Sequence, residues 1–184
     1  MKGSTTALWV AAAVAVAWAV GGYNRLVRLR NEIGRQFALV EAQLRARDAL
    51  LRSWLRVLRP RLGGAAPALA AVDAVEGACT QLQAACDAAR AQPSAERPMT
   101  SVRLADETLA QARARLEAEL AAAGQTQDAT ALAPPPEEIA AIEATLAFTR
   151  GQFNAAIGDY NRAVGQFPTW LLALAFRFRS AGVL

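Results

Sequence analysis

The stretch LVRLRNEIGRQFALVEAQLRARDALLRSWLRVL, residues 26–58, sets the architecture of this chain. Its apolar side chains recur at steps of three and four, which places them on one face of a helix. They are Leu26, Leu29, Ile33, Phe37, Val40, Leu44, Leu51, Leu55 and Leu58. We therefore predict one amphipathic helix, about 50 Å long. It ends before Pro60 and Gly63-Gly64.

Three further segments repeat this pattern downstream. A second helix is predicted over about 67–91, a third after an N-cap at Thr100 or Ser101, and a fourth from about 137 to Pro168. Their stripes are Val72, Val75, Cys79, Leu82 and Cys86; Val102, Leu109, Leu116 and Leu120; and Ile139, Ile142, Leu146, Phe153, Ile157, Tyr160, Val164 and Phe167. Residues 124–136, GQTQDATALAPPP, are predicted to form a stiff surface connection. The fold predicted for residues 23–168 is all-α, an elongated, antiparallel, coiled-coil-like bundle of about four helices.

Composition supports this fold and argues against most catalytic sites. Alanine is the commonest residue and aromatics reach only 7%, which excludes an all-β fold. The absence of histidine removes the commonest general base and metal ligand. The carboxylates of Asp106-Glu107, of Glu117 and Glu119, and of Glu137-Glu138 point in different directions on their helices, so we interpret them as solvated surface. We predict no catalytic residue, no cofactor and no metal.

Two cysteines lie seven residues apart on the second helix. That separation is about 10.5 Å along the axis, beyond the reach of a disulfide. Because Cys79 and Cys86 fall on the apolar stripe, we predict that both are buried structural residues.

The N-terminus is apolar enough to cross a bilayer. Residues 3–23 carry no charge, and residues 7–20 read ALWVAAAVAVAWAV. A secretory signal with cleavage after Ala17-Trp18-Ala19 is one interpretation. We favour a retained anchor over residues 1–22, because the helical pattern continues past Gly21-Gly22 and aromatic side chains lie towards both ends. The predicted transmembrane residues include Ala7, Trp9, Val14, Trp18 and Val20.

Charge is distributed unevenly along the chain. Ten arginines face three acids from residue 23 to 61, whereas nine arginines face thirteen acids beyond residue 62. Either the two halves pack together or the basic half lies near an anionic surface. A membrane surface is favoured over nucleic acid, since no aromatic residues interleave with the arginines for base stacking. The arginines after the anchor predict a cytoplasmic body and a short N-terminus outside.

The tail, residues 169–184, contains WLLALAFRFR. Its apolar run is too short to span a membrane. It is predicted either to cap the open end of the bundle or to dip into the membrane interface, with Arg177 and Arg179 on headgroups.

Two pairs of asparagines stand out from the alanine background. Asn24 and Asn31, and likewise Asn154 and Asn161, are seven residues apart and so share a helical face. Asparagine is a poor residue for the middle of a helix. One hypothesis is that these side chains are buried and fix the register between long helices. The alternative is that they face water.

The same residues carry a family resemblance. YNRLVRLRNEIGRQFALVEAQLRAR, residues 23–47, and FTRGQFNAAIGDYNRAVGQFP, residues 148–168, resemble the two signature regions of the LemA family of bacterial proteins. The matching residues are Tyr23, Asn24, Leu26, Val27, Arg30, Asn31, Gln43, Leu44 and Arg47, then Glu143, Ala147, Phe148, Arg150, Asn154, Ala156, Tyr160, Asn161, Phe167 and Pro168.

The resemblance implies a single transmembrane helix in the bacterial inner membrane, a short N-terminus outside the cytoplasm and an antiparallel bundle, and it implies no activity. This chain departs from the family in its first helix. Phe37 stands where the family usually has tryptophan, and Ala49, Arg52 and Ser53 stand where it usually has aspartate, proline and asparagine. It therefore resembles a divergent member.

These observations favour a non-enzymatic, membrane-anchored helical scaffold that contacts the lipid bilayer and another membrane or membrane-associated protein, or a second copy of itself. No nucleic-acid partner is expected. The alternative is a lipid-binding or membrane-shaping protein that uses the arginine-rich first helix. An enzyme would need carboxylates or thiols gathered at one place. If the N-terminus were cleaved, the body would be periplasmic or secreted.

Overall fold

A computed structural model of the chain describes residues 2–64, 66–124 and 135–184. These residues form five helices: α1 (Lys2–Leu58), α2 (Ala66–Ala91), α3 (Glu96–Ala122), α4 (Pro136–Gly165) and α5 (Thr169–Ala175). No strand is present among them. The predicted all-α fold is confirmed. The surface connection predicted over 124–136 lies, apart from its ends, outside the described residues.

Helix α1 is a single helix about 85 Å long, as expected at 1.5 Å per residue. It continues from the apolar N-terminus into the amphipathic stretch with no break at Gly21-Gly22. A short 3-10 turn, Arg59–Leu62, ends it. The chain then reverses through Gly63 and Gly64, whose φ angles of 54° and 87° are conformations that favour glycine.

Four of the helices form the predicted antiparallel bundle. Helices α1 and α4 run in opposite directions, since Phe37 faces Phe153 with ring centroids 5.9 Å apart and Arg47 reaches Glu143 further along. A four-residue connection folds α3 back on α2. The coiled-coil character of the packing stays a prediction.

One apolar cluster, built from the predicted stripes, fills the bundle. Its largest fully buried members include Phe37, Phe153 and Tyr160. One stripe prediction is wrong. The Phe167 side chain is 79% exposed, because α4 ends at Gly165 and not at Pro168.

The predicted start of the third helix is also wrong. Helix α3 begins at Glu96, so Thr100 and Ser101 lie inside it, where their hydroxyls donate to the carbonyls of Glu96 and Arg97 at 3.0 and 3.1 Å. Pro98 did not delay the helix, since proline is tolerated in a first turn, where its missing N–H would have had no partner.

The apolar beginning of α1 stands outside the bundle. Every side chain from Thr5 to Trp18 is exposed. An 18-residue window of this helix has a mean hydropathy of 1.6, and none of it is buried against the rest of the chain. By length and composition it can cross a membrane.

Candidate functional site

Several residues of the family motifs lie at the end of the bundle beside the apolar segment of α1. There α5 packs on α1 and α4, and Leu26, Ala163, Leu172 and Ala173 form a small second core. The approach is close, because a Cβ added to Gly22 would lie 2.6 Å from Leu172 Cδ1. The prediction that the tail caps this end is confirmed for the inner face of α5.

The outer face of α5 has no cover from the described chain. Trp170, Leu171 and Leu174 are 43%, 45% and 71% exposed, and Phe167 and Phe176 flank them, also exposed. We call these five residues the α5 patch. Apolar side chains grouped in this way are typical of a surface that meets a partner or a membrane.

The C-terminal segment, residues 177–184, runs back from α5 along α4 and is held by Asn154 and Asn161. The Asn161 amide donates to the Ala181 carbonyl at 3.0 Å and accepts the Ala181 N–H at 2.7 Å. Asn154 makes the same two bonds with Leu184, at 2.9 and 3.0 Å. Seven helical residues rise about 10.5 Å and three extended residues about 10 Å, so the two spacings match.

Side chains of the C-terminal segment complete its attachment. Phe178, Ala181 and Leu184, three residues apart, pack on the main cluster. Gly182 lies against α3, where an added Cβ would be 2.7 Å from the Cα of Glu96. The segment therefore depends on a small residue at one position.

These contacts correct the register hypothesis for the asparagines. Asn154 and Asn161 bind an extended segment, so they do not fix the register between two long helices. Asn24 and Asn31 are exposed, and neither is hydrogen bonded to any residue in the described part of the chain. For that pair the alternative of facing water is correct.

Other residues of the family motifs divide between this end and the surface. Tyr23 contacts Phe176 and Phe178, with ring centroids 4.9 and 6.0 Å apart. Tyr160 is buried, and that burial raises the pKa of its hydroxyl. Other residues of the family motifs lie outside the buried apolar clusters: Arg30 and Phe148 are exposed, and Pro168 is half-buried.

Asp106 is a half-buried charged group of the bundle, which sequence reasoning placed on the solvated surface. It pairs with Arg47 of α1 and, at 2.7 Å, with Arg150 of α4. Burial alone would raise the pKa of Asp106, but the charges and hydrogen bonds of the two arginines outweigh burial and lower it. The error arose because these partners lie 59 and 44 residues away in the sequence.

The arginines of α1 divide into two groups. Arg45, Arg47 and Arg52 in its second half, and Arg59 in the 3-10 turn that follows, pair with acids on α1, α2, α3 or α4, whereas Arg56 forms no ion pair with a described residue. Arg25, Arg28 and Arg30 form no ion pair with any described residue. Internal packing therefore explains much of the charge asymmetry, and the first arginines after the apolar segment stay free of acids in the described regions.

The two cysteines are free and buried, as predicted. Burial raises the pKa of the Cys79 thiol to about 12 and that of Cys86 to about 11. Both thiols are therefore protonated at neutral pH. Within the described ranges, no three metal-ligating side chains gather in one place.

Comparison with known proteins gives one match. The sequence model of the LemA family matches residues 68–184, from the start of α2 through α3, α4 and α5 to the end of the C-terminal segment. No curated protein and no solved structure matches. The matched residues are more than half of the chain and include Asn154 and Asn161 together with the segment they hold, so the chain belongs to the LemA family.

Proposed function

We propose that this chain is a non-enzymatic, single-pass scaffold of the bacterial inner membrane. The observation that carries the proposal is the continuity of α1, which is apolar and exposed up to Trp18 and forms part of the bundle core from Leu26 onward. A helix that passes from lipid into a core without a hinge transmits its position in the membrane to the bundle. This continuity supports a retained anchor over a cleaved signal.

The α5 patch supports a fixed position of the bundle on the membrane. Because α5 packs on Ala19 and Leu26, its exposed apolar face lies at the level where α1 leaves its apolar segment. Amphipathic helices of this kind insert about 5–10 Å into the headgroup region. The α5 patch would thus act as a second contact with lipid beside the anchor.

The free arginines support the orientation with the body in the cytoplasm. Arg25, Arg28 and Arg30 directly follow the apolar segment, whereas Lys2 is the single basic side chain before it. Basic residues near the ends of a transmembrane helix favour the cytoplasmic side.

A non-enzymatic role is supported by the state of the ionisable groups. The most buried carboxylates among the described residues, those of Glu41, Asp48 and Asp106, are paired with arginines. Neither thiol is a nucleophile at neutral pH, because catalysis by cysteine requires the thiolate. A scaffold needs a partner, and we propose a membrane or membrane-associated protein rather than a nucleic acid.

The alternative of a lipid-binding protein is favoured by one observation, the α5 patch with Arg177 and Arg179 beside it. It differs from binding along the whole of α1, since the second half of that helix uses Arg45, Arg47 and Arg52 in ion pairs. In this alternative the contact with lipid is itself the function.

Depth measurement tests the proposal. The full chain, with Cys79 and Cys86 replaced by alanine, is reconstituted in nanodiscs with a spin label at Leu174→Cys or, as control, at the exposed Leu104→Cys of α3. Relaxation by oxygen and by a water-soluble nickel complex should place Leu174 in the headgroup region and Leu104 in water. Equal exposure of both labels to the nickel complex would contradict the proposal, and so would a mature protein that begins after Ala19 by mass spectrometry.

A further inference from the structure

A second pair of asparagines repeats the spacing of the pair that holds the C-terminal segment. Asn24 and Asn31 are seven residues apart on α1, as Asn154 and Asn161 are on α4. The α4 pair shows what this spacing does, since two amides bind the backbone of residues three apart through four hydrogen bonds. The α1 pair is exposed and holds no backbone in the described part of the chain.

Two arginines complete the surface around this second pair. Asn24, Arg28, Asn31 and Arg35 follow one another at steps of four, three and four, so they form one stripe along the helix. All four side chains are exposed. We call these residues the asparagine–arginine stripe. Beside it an open cleft of about 530 Å³ is lined by Asn31 and Arg35, by Ala91 at the end of α2, and by residues 92–94 of the α2–α3 connection.

We propose that the asparagine–arginine stripe binds an extended, acidic peptide segment of a partner protein. Each asparagine amide would accept a backbone N–H and donate to a carbonyl of residues three apart, as on α4. Arg28 lies between the amides and forms no ion pair with a described residue, so it would pair with a carboxylate of the peptide. Arg35 lies beyond them, and its exposed ion pair with Glu32 on the same helix would be shared with a second carboxylate of the peptide. The surrounding helix, residues 23–38, carries four arginines and one glutamate, so its charge complements an acidic segment.

Charge also distinguishes this partner from a second copy of the chain. The chain's own C-terminal segment contains Arg177 and Arg179 and no acid, so the stripe would repel it. Anionic lipid would satisfy the arginines, but it has no backbone amides for the asparagines to bind. A peptide uses all four side chains.

This inference rests on the proposed scaffold function, for which it names the class of partner. Asn24 is two residues beyond Gly22, so the bound peptide would lie next to the membrane surface. The partner segment is therefore expected to be acidic and extended, close to the membrane.

The test uses the full chain in nanodiscs of phosphatidylcholine. The probe is a fluorescent nonapeptide, Phe-Glu-Phe-Glu-Ser-Ala-Gly-Val-Leu, which repeats the end of this chain with both arginines changed to glutamate. Its control is the same peptide with the arginines kept. Anisotropy should show that the acidic peptide binds and that the control binds at least tenfold more weakly. Asn24→Ala with Asn31→Ala, or Arg28→Ala with Arg35→Ala, should each weaken acidic binding tenfold or more.

The matched control variant is Asn154→Ala with Asn161→Ala, which should leave binding of the acidic peptide unchanged. The proposal is overturned if this variant abolishes binding while Asn24→Ala with Asn31→Ala does not, because the peptide would then occupy the α4 groove. Failure of the acidic peptide to bind also overturns it. The proposal is also overturned if co-flotation of the nanodiscs with phosphatidylglycerol vesicles requires Arg28 and Arg35 but neither asparagine. The spin-label depth at Leu174 tests the scaffold function separately.

Discussion

The two ends of the bundle are held together in different ways. Towards the end far from the apolar segment, helices are joined by ion pairs, of which the most buried is Arg47–Asp106–Arg150. At the near end, α5 and the C-terminal segment are held by hydrogen bonds of neutral asparagine side chains and by apolar contacts such as that of Tyr23 with Phe176. The charged groups at the far end are paired with one another, whereas the near end has the exposed apolar side chains of the α5 patch.

This difference indicates that the far end determines the stability of the bundle, whereas the near end is available for contacts with other molecules. Loss of one partner of a buried ion pair strongly destabilises the folded protein, because the other charge is left buried and unpaired. The far end is therefore sensitive to the removal of a single charged side chain. Neutral hydrogen bonds contribute about 0.5–1.5 kcal/mol each and can open locally. We expect mutations at the far end to reduce global stability and mutations at the near end to loosen one segment.

The largest effect is expected for Asp106→Ala. This change leaves Arg47, whose side chain is 11% exposed, without its main partner, and we expect a loss of about 3 kcal/mol in the free energy of unfolding. Urea unfolding of the full chain in detergent measures it. Glu107→Ala is the control, because its partner Arg103 is exposed, and a change of less than about 0.5 kcal/mol is expected. Equal effects of the two variants would contradict a special role for Asp106.

The next effect is expected for Asn154→Ala combined with Asn161→Ala. It removes four hydrogen bonds, which together contribute about 2–6 kcal/mol to local attachment of the C-terminal segment. Hydrogen exchange at the amides of Ala181 and Leu184 should rise by at least tenfold, while exchange in α2 stays unchanged. The same change at Asn24 and Asn31 should leave all of these rates as they are.

A smaller effect is expected for Gly182→Ala. Its methyl group would lie 2.7 Å from the backbone of Glu96, so the segment must shift at a cost of about 1–3 kcal/mol. Gly151→Ala is the control, since nothing lies within 4 Å of its added Cβ, and helix propensity predicts a gain of up to about 1 kcal/mol. Faster hydrogen exchange at Ala181 in Gly182→Ala, together with a higher free energy of unfolding in Gly151→Ala, would distinguish the two sites. A neutral Gly182→Ala would argue against the close contact.

The smallest effect is expected from pH. The pKa of Asp106 is lowered from its ordinary value of 3.8 by Arg47 and Arg150 against the opposing effect of burial, so its contribution is complete above about pH 5. It is lost as pH falls through the lower, folded pKa, since protonation then removes both ion pairs. Unfolding free energies of the full chain between pH 7 and pH 2 should fall more steeply than those of Asp106→Asn. Parallel curves would contradict the ion-pair assignment.

Local patterns predicted most of the far end. The stripes from Ile33 to Leu58 and from Val72 to Cys86 are buried or half-buried where expected, because helical period and apolarity act over a few residues. Pattern failed where a boundary depended on context, as at Thr100 and at Phe167. It also failed at Asp106, whose neighbours in sequence do not reveal that two arginines surround it.

The near end was predicted only in outline. The motif drew attention to Asn154 and Asn161, but their spacing fits a register device and a peptide clamp equally well. No sequence signal linked them to Ala181 and Leu184, which lie 20 and 30 residues away. The available clue was that the rise of seven residues along a helix nearly equals the length of three extended residues, so two asparagines at this spacing can bind one extended segment.

Residue order alone was enough for the all-α class, the long first helix and the family resemblance, since helix formation and amphipathicity depend on neighbours within a few turns. The tertiary structure alone decided that Asp106 lies between arginines of two other helices, which asparagines bind backbone and which face of α5 stays exposed. Those outcomes depend on residues brought together from distant parts of the chain, and spacing along one helix does not contain that information.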